Sequence, residues 1–306
     1  MVNQINFSMA NDNDLNKSQT FKSFKDKWEK NANLAFTQTS DENSDVFEWI
    51  INRNGFSNGD EFRAFLKGKK RILDAGCGNG RVTALLKKYA DEDTEVVGID
   101  LTAAHVATEN LKHLKNVSVF EKDLLGDLSD IGTFDFIYSQ EVLHHTADPK
   151  RSFDNLVQLL RPEGEIAIYV YKIKAPLREY ADDYVRNIIS DMNYEESSKA
   201  LNEITEFGRI MAKKGITIEV PKVDILGIEA GEYDLQRFIY HFFFKCYWND
   251  MFSEEENNVI NYDWYHPQIA SRHSLDEILG WYLENDLVVS QKNVDHYGIT
   301  VRGRLI

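Results

Sequence analysis

The stretch RILDAGCGNGRVT at 71–83 restricts this chain more than any other. A short apolar run, Ile72 and Leu73, ends at Asp74; glycines follow at 76, 78 and 80, and a helical pattern opens at Arg81. Strand, glycine turn and helix in immediate succession bring backbone close to a nucleotide-like ligand at a helix N-terminus. The glycine spacing alone is a weak signal, and its neighbours sharpen it. The dinucleotide fingerprint needs a small residue at 81, where this chain has Arg81. Asp74 would face a pyrophosphate with like charge, whereas a cationic ligand turns the same acid into an asset. A P-loop is excluded, because no Gly-Lys-Ser/Thr follows.

Around this motif the hydrophobic periods alternate. Residues 1–20, rich in Asn, Asp and Ser, read as a mobile tail. Phe21, Phe24, Trp28 and Ala35 or Phe36 then recur at helical steps, 45–54 reads as a second helix stopped by Gly55, and 60–67 as a third. Strands are expected at 71–74, 95–99, 117–120, 133–139 and 165–171, with helices between them, one capped by Thr102. Five such strands argue an α/β fold with a parallel, doubly wound sheet covered on both faces. After Tyr171 the rhythm breaks. Residues 174–262 read as a helical insertion, with long helices at 194–214 and 232–250. A capping box at Ser274–Glu277 opens the last helix, and 287–294 and 297–302 read as an antiparallel pair at the sheet edge. The expected organisation is a tail (1–20) and one domain (21–306). That domain comprises a helical preface (21–68), a cofactor-binding half (69–173), the insertion (174–262) and the end of the sheet (263–306).

Composition narrows the partners. The chain has 306 residues and a net charge of −15, with 50 acids against 35 bases. So acidic a surface repels phosphate backbones, which argues against nucleic acid as a partner. Two cysteines, Cys77 and Cys246, provide neither a disulfide framework nor metal-ligand spacing, so no metal is expected and a reducing cytoplasm suits the chain. The N-terminus shows no signal-like segment, and the most apolar stretch, 238–248, is far shorter than the roughly 20 residues of a membrane span. Nothing in the composition decides self-association, and a homo-oligomer is admitted.

The runs LDAGCGNGR, VVGIDLT, EKDLL, FDFIYSQEVLHHTADP and LLRPEGEIAIYVY, in that order across residues 70–172, resemble the class I S-adenosylmethionine-dependent methyltransferases. Within them the chain is most similar to the small-molecule type 11 group, which includes ubiquinone-biosynthesis-like enzymes. The resemblance implies a Rossmann-like, seven-stranded, mostly parallel sheet with an antiparallel last strand, and S-adenosylmethionine as cofactor. It implies that Asp74 faces the methionine end and that Gly76, Cys77, Gly78 and Gly80 turn beneath the ligand. By the same resemblance Asp100 accepts from both ribose hydroxyls and Leu101 lies against adenine. Asp123, with Leu124, meets the adenine amino group, and the backbone from Gln140 passes under the methionine portion.

Methyl transfer from a sulfonium is an in-line displacement, so the protein mainly aligns the acceptor and removes its proton. His144 and His145 follow the fourth strand where the acceptor pocket of this group opens; His145 is the candidate base and His144 the weaker one. The aromatic run of the insertion reads first as core, then as a pocket wall. The segment Asp263-Trp-Tyr-His-Pro267 with Arg272-His273 resembles one in uncharacterised members of the group. It points to acceptor contacts by Tyr265, His266, Arg272 or His273, with Trp28 as a lid. The expected function is methylation of an oxygen or nitrogen of a small molecule, such as a sugar or natural product. The alternatives are a quinone or lipid head group as acceptor, or a module that binds S-adenosylmethionine without turnover. Nucleic-acid methylation is disfavoured by charge and by SQEVLHH after the fourth strand.

Overall fold

The computed structural model describes residues 9–306, with side chains described from Asp14 onward. Helices α1 (Met9–Lys30), α2 (Phe36–Ser40), α3 (Asp45–Arg53) and α4 (Gly59–Leu66) lead into the alternating part. There follow β1 (Arg71–Ala75), α5 (Arg81–Tyr89), β2 (Glu95–Asp100), α6 (Ala104–Leu111), β3 (Val117–Glu121), β4 (Phe134–Gln140), α7 (Pro149–Val157) and β5 (Leu160–Tyr171). After them come α8 (Pro176–Ile189), α9 (Tyr194–Lys214), β6 (Thr217–Val220), β7 (Gly231–Asp234), α10 (Leu235–Phe242) and α11 (Glu254–Tyr265). The chain closes with α12 (Leu275–Glu284), β8 (Leu287–Val294) and β9 (Gly298–Leu305).

The seven-stranded sheet has the order β3-β2-β1-β4-β5-β9-β8. Strands β1 to β5 pair in parallel, and β9 lies antiparallel between β5 and β8. The period of two along each strand explains why both faces are covered. Ile72, Val96, Phe136 and Ala167 join one core with residues of α3, α4 and α5, including Ile50, Phe62 and Leu86. Leu73, Val97, Ile137, Ile166 and Ile168 join the other with Phe153 of α7 and Ile278, Trp281 and Tyr282 of α12. The order reverses between β1 and β4, so the carboxyl ends of β1, β2 and β4 form the crevice where ligands of such sheets bind.

The chain divides into two compact units. One holds Trp28–Ile173 and Ser271–Ile306; the other holds Lys174–Ala270 with the described part of residues 1–27. Within the helical unit, α8 carries a buried polar centre. Asp182 accepts from Arg178 Nε (3.1 Å), Trp264 Nε1 (2.8 Å), Tyr265 OH (2.8 Å) and Lys245 N (2.8 Å), which satisfies a carboxylate with no solvent.

Two expectations change here. Helix α1 begins at Met9, so residues 9–20 are helical rather than a mobile tail, while residues 1–8 of that expected tail lie outside the described residues. Side-chain hydrogen bonds tie this part down, which a hydrophobic period does not register. Gln19 Nε2 donates to His266 O (2.7 Å), and Thr20 Oγ1 accepts from Ile269 N (3.0 Å). The expected helix at 232–250 is also cut short, being β7, then α10, then irregular chain. Beyond Phe242 the backbone amides of Lys245, Tyr247 and Asn249 donate to Asp182, Asn261 and Asn257, each at 2.8 Å. Acceptors on α8 and α11 thus replace the helix carbonyls. The aromatic run buries Tyr240, Phe242 and Trp248 in this unit and leaves Phe238, Phe243 and Phe244 half-buried.

Candidate active site

The glycine loop leaves β1 with Gly76 N and Cys77 N both donating to Ile99 O of β2, at 2.7 and 2.9 Å. Gly76, Gly78 and Gly80 all adopt positive φ (84°, 54° and 88°), a region that glycine reaches without strain. Protein packing demands them as well. A Cβ on Gly76 would fall 2.4 Å from the Val142 side chain, and one on Gly78 would fall 2.8 Å from the Trp28 indole. Cys77 is buried against Gly98, where it fills the turn, and burial holds its thiol well above the ordinary range.

Asp74 is 1 % exposed, and Oδ2 accepts from Thr83 Oγ1 at 2.6 Å. Burial raises its pKa to about 7, helped by the negative charge of Asp100 and opposed by the Thr83 hydrogen bond and by Arg81. At neutral pH this carboxyl is poised between its two forms, and a neighbouring cation favours the charged one.

Asp100 departs from the expected bidentate grip on a ribose. Its Oδ1 already accepts from Thr102 N (2.8 Å), Thr102 Oγ1 (2.9 Å) and Ala103 N (2.8 Å), and Oδ2 accepts from Gly78 N (2.9 Å). Asp100, rather than Thr102, holds the turn that leads into α6, and Oδ2 retains room for a further donor. Leu101 is half-buried in that turn. Asp123 Oδ1 accepts from Leu125 N (2.9 Å), while the Leu124 side chain is buried in the sheet core. At the end of β4, Gln140 is buried. Its Oε1 accepts from Tyr138 OH, whose oxygen accepts from Asn54 Nδ2 (3.0 Å). That chain fixes the amide orientation, and Gln140 Nε2 is a buried donor with no hydrogen-bond partner among the described residues.

Beyond Gln140 the backbone enters a left-handed conformation at Glu141 (φ 62°), which costs energy in a residue with a side chain. Arg81 Nη2 contacts Glu141 Oε2 at 3.2 Å and Arg81 Nη1 donates to Thr39 Oγ1 at 3.2 Å, so the start of α5 pins this loop and α2 together. A 3-10 turn, Leu143–His145, follows. His144 is fully buried, stacked on Tyr171 with centroids 3.6 Å apart, and its Nδ1 accepts from Tyr171 N (3.3 Å). His145 is half-buried and meets Tyr171 edge-on at 5.4 Å.

Ser271 and His273 join this end of the sheet. His273 N donates to Tyr171 O (2.9 Å) and Ser271 N to His144 O (2.8 Å). The His273 ring bridges Glu277 Oε1 through Nδ1 and Ser271 Oγ through Nε2, each at 2.9 Å. The Nδ1 edge of the ring thus faces a carboxylate and the Nε2 edge a hydroxyl. Glu277 N donates to Ser274 Oγ (3.1 Å), but the Glu277 carboxylate goes to His273, so the expected capping box closes on one side only. Arg272 is half-buried beside them.

The other expected acceptor contacts have different surroundings. Tyr265 is fully buried in the helical unit, and burial beside Asp182 drives its hydroxyl well above the usual range. His266 is buried with Nε2 3.0 Å from Met192 O and its ring stacked on Tyr262, and burial lowers its pKa. Both serve the packing of that unit. The glycine loop, Asp74, Asp100 and Trp28 come together, as do His144, His145, Ser271 and His273. The Arg81–Glu141 pair has no signal in spacing, because its members lie 60 residues apart, whereas His273 and Glu277 stand at i,i+4, a spacing that could have suggested their contact. Among the described residues, no group of three or more His, Cys, Asp or Glu lies close enough to hold a metal, and no helix is long and apolar enough to cross a membrane.

This donor set suits an adenosyl sulfonium. An acid of raised pKa answers the cation, Oδ2 of Asp100 has capacity for a hydroxyl, and the Gln140 amide offers a buried donor to a ligand oxygen. A methyltransferase-domain family of type 11 matches residues 73–168. The trans-aconitate 2-methyltransferase of Deinococcus radiodurans is 36% identical over 100 residues, 33% of this chain and 37% of that protein. A ubiquinone biosynthesis O-methyltransferase of Coxiella burnetii is 32% identical over 104 residues, 33% of this chain and 43% of that protein. The chain thus spans less than half the length of these curated relatives. A solved S-adenosylmethionine-dependent methyltransferase from Aquifex aeolicus is 16% identical with a TM-score of 0.42, over 81% of this chain and 89% of its own. Residues 73–168, which carry the motif at the crevice, thus match a methyltransferase domain of type 11 and are similar over that stretch to these methyltransferases.

Proposed function

We propose that the protein transfers a methyl group from S-adenosylmethionine to an oxygen or nitrogen of a small-molecule acceptor. The observation that carries this reading is a buried acid, Asp74, held near pKa 7 directly before a glycine loop at the switch point of the sheet. The bound cofactor supplies a methyl group on a positively charged sulfur, which leaves as a neutral thioether. In this reading the Asp74 carboxylate balances the ligand's positive charge, Asp100 Oδ2 accepts from one ribose hydroxyl, and Asp123 selects the adenine amino group. Gln140 Nε2 donates to a ligand oxygen. The structural placement favours His145 over His144 as base, because the His144 ring is buried and its Nδ1 is occupied. His145 takes the proton from the acceptor as the new bond forms, and His273, oriented by Glu277, lies in the same group of residues as an auxiliary acid–base pair.

We assign acceptor choice to the helical insertion at 174–262 and to Arg272. The similarity to a trans-aconitate 2-methyltransferase and to a ubiquinone biosynthesis O-methyltransferase keeps both acidic metabolites and phenols in the acceptor screen. Calorimetry with S-adenosylhomocysteine up to about 1 mM tests the cofactor, and absence of binding would end the reading. Screening acidic metabolites, sugars and phenols for methyl transfer tests the reaction. With an acceptor in hand, His145→Ala is expected to lower kcat by roughly 10²–10⁴ while leaving S-adenosylhomocysteine affinity within about twofold. Unchanged turnover would reject His145 as base, and cofactor binding without any acceptor would favour a non-catalytic binding module.

A further inference from the structure

Asn79 stands between Gly78 and Gly80 with its side chain fully buried, its Oδ1 accepting from Arg81 N (3.3 Å) within the loop and its Nδ2 turned outward. Nδ2 donates to Ala32 O and to Leu34 O, both at 3.0 Å. Asn110, on α6, donates from Nδ2 to the same Ala32 O and to Asn79 O, both at 2.9 Å. Glu29 Oε1 lies 3.2 Å from His105 Nε2, also on α6. Residues 28–35 therefore form a strap laid over the glycine loop and both ends of α6, ending at Ala35 in a left-handed conformation (φ 52°). At the head of the strap, the Trp28 indole rests on Gly78 so closely that a Cβ there would fall 2.8 Å from its Cζ2. The same Gly78 donates its N–H to Asp100 Oδ2. Indole, loop and ribose-facing acid are thus neighbours.

We propose that Trp28 is a fixed aromatic wall of the adenosyl-sulfonium site, and that Asn79 and Asn110 are the positioning residues that hold it there. The proposal rests on the methyltransferase reading above. An indole face is the strongest aromatic partner for a cation and stacks readily on a purine, so either part of the cofactor gains by lying against it. The strap acts as a wall rather than a displaceable plug. Lifting it would strip the buried Asn79 amide of both acceptors and two carbonyls of their donor, a loss with no replacement inside the fold. The strap and the glycine loop consequently move as one body.

Calorimetry with S-adenosylhomocysteine, combined with hydrogen exchange on the ligand-free protein, tests this. Trp28→Ala is expected to weaken binding about tenfold, and Trp28→Phe to restore most of it. Asn79→Ala and the milder Asn110→Ala are expected to speed amide exchange at residues 29–35 and to weaken binding in the same order, although neither side chain is placed against the ligand. Equal or tighter binding by Trp28→Ala overturns the wall. Faster strap exchange in Asn110→Ala with unchanged affinity overturns the positioning role. Failure of the unaltered protein to bind S-adenosylhomocysteine strikes the underlying reading instead, which separates the two.

Discussion

Asp74 shows how a single residue's environment sets the pH dependence of stability and, in the proposed reading, that of cofactor binding. Its folded pKa of about 7 lies above the ordinary 3.8, so the folded chain holds a proton there that the unfolded chain has released. Stability from this group is therefore fully present below pH 4, declines as pH rises toward 7 and levels off above it, with a span of about 4 kcal/mol at most. Asp74→Asn is expected to remove that slope in urea titrations between pH 4 and 8, making the ligand-free protein more stable than the original at pH 8. A cationic cofactor prefers the ionised acid, so S-adenosylmethionine affinity is expected to rise from pH 6 to 8 in the original and stay flat in the variant. A cofactor titration that shows the same slope in both would detach Asp74 from the ligand. Asp100 teaches a complementary point. Its place at the end of β2 was readable from VVGIDLT, yet the spending of Oδ1 on Thr102 and Ala103 depends on a turn whose path only the folded backbone reveals.

Elements with a strong period of their own were legible in the chain. Helix α9 runs over 194–214 as its pattern predicts, and β1, β2, β3 and β5 fall on the apolar runs. Elements held by distant polar partners were not. The break after Phe242 depends on Asp182, Asn257 and Asn261, which lie far along the chain, and no local rule sees them. Asp182 is the sharpest test of that view. Removing its charge in Asp182→Ala leaves Arg178 buried without its partner, and a loss of about 3–5 kcal/mol is expected by denaturant unfolding. A loss below about 1 kcal/mol would show that the polar centre does not organise the unit. At α12, Ser274→Ala is expected to cost about 1 kcal/mol by loss of the Glu277 N–H acceptor, while Glu277→Gln preserves that cap and releases His273 Nδ1 from its charged partner. Chemical shifts of the His273 ring distinguish the two changes.

For the whole molecule, linkage between folding and cofactor predicts a measurable gain. At a free S-adenosylmethionine concentration of 100 times its Kd, the folded state is favoured by about 2.7 kcal/mol. A rise in Tm of several degrees is therefore expected, and no rise under saturating cofactor would contradict the site described here. The net charge of −15 predicts negligible retention on DNA at physiological salt, since a chain so acidic has few phosphates to neutralise. By itself the sequence determined the α/β class, the order of the strands along the chain and the cofactor motif. Each of these is written in local periods and in glycines that the backbone requires within a few residues. Only the tertiary structure decided that β9 inserts between β5 and β8, that His144 is fully buried while His145 is half-buried, and that Trp28 rests on Gly78. Those outcomes depend on side chains from distant parts of the chain competing for the same space and the same hydrogen-bonding groups, and that competition is resolved only when the chain is folded.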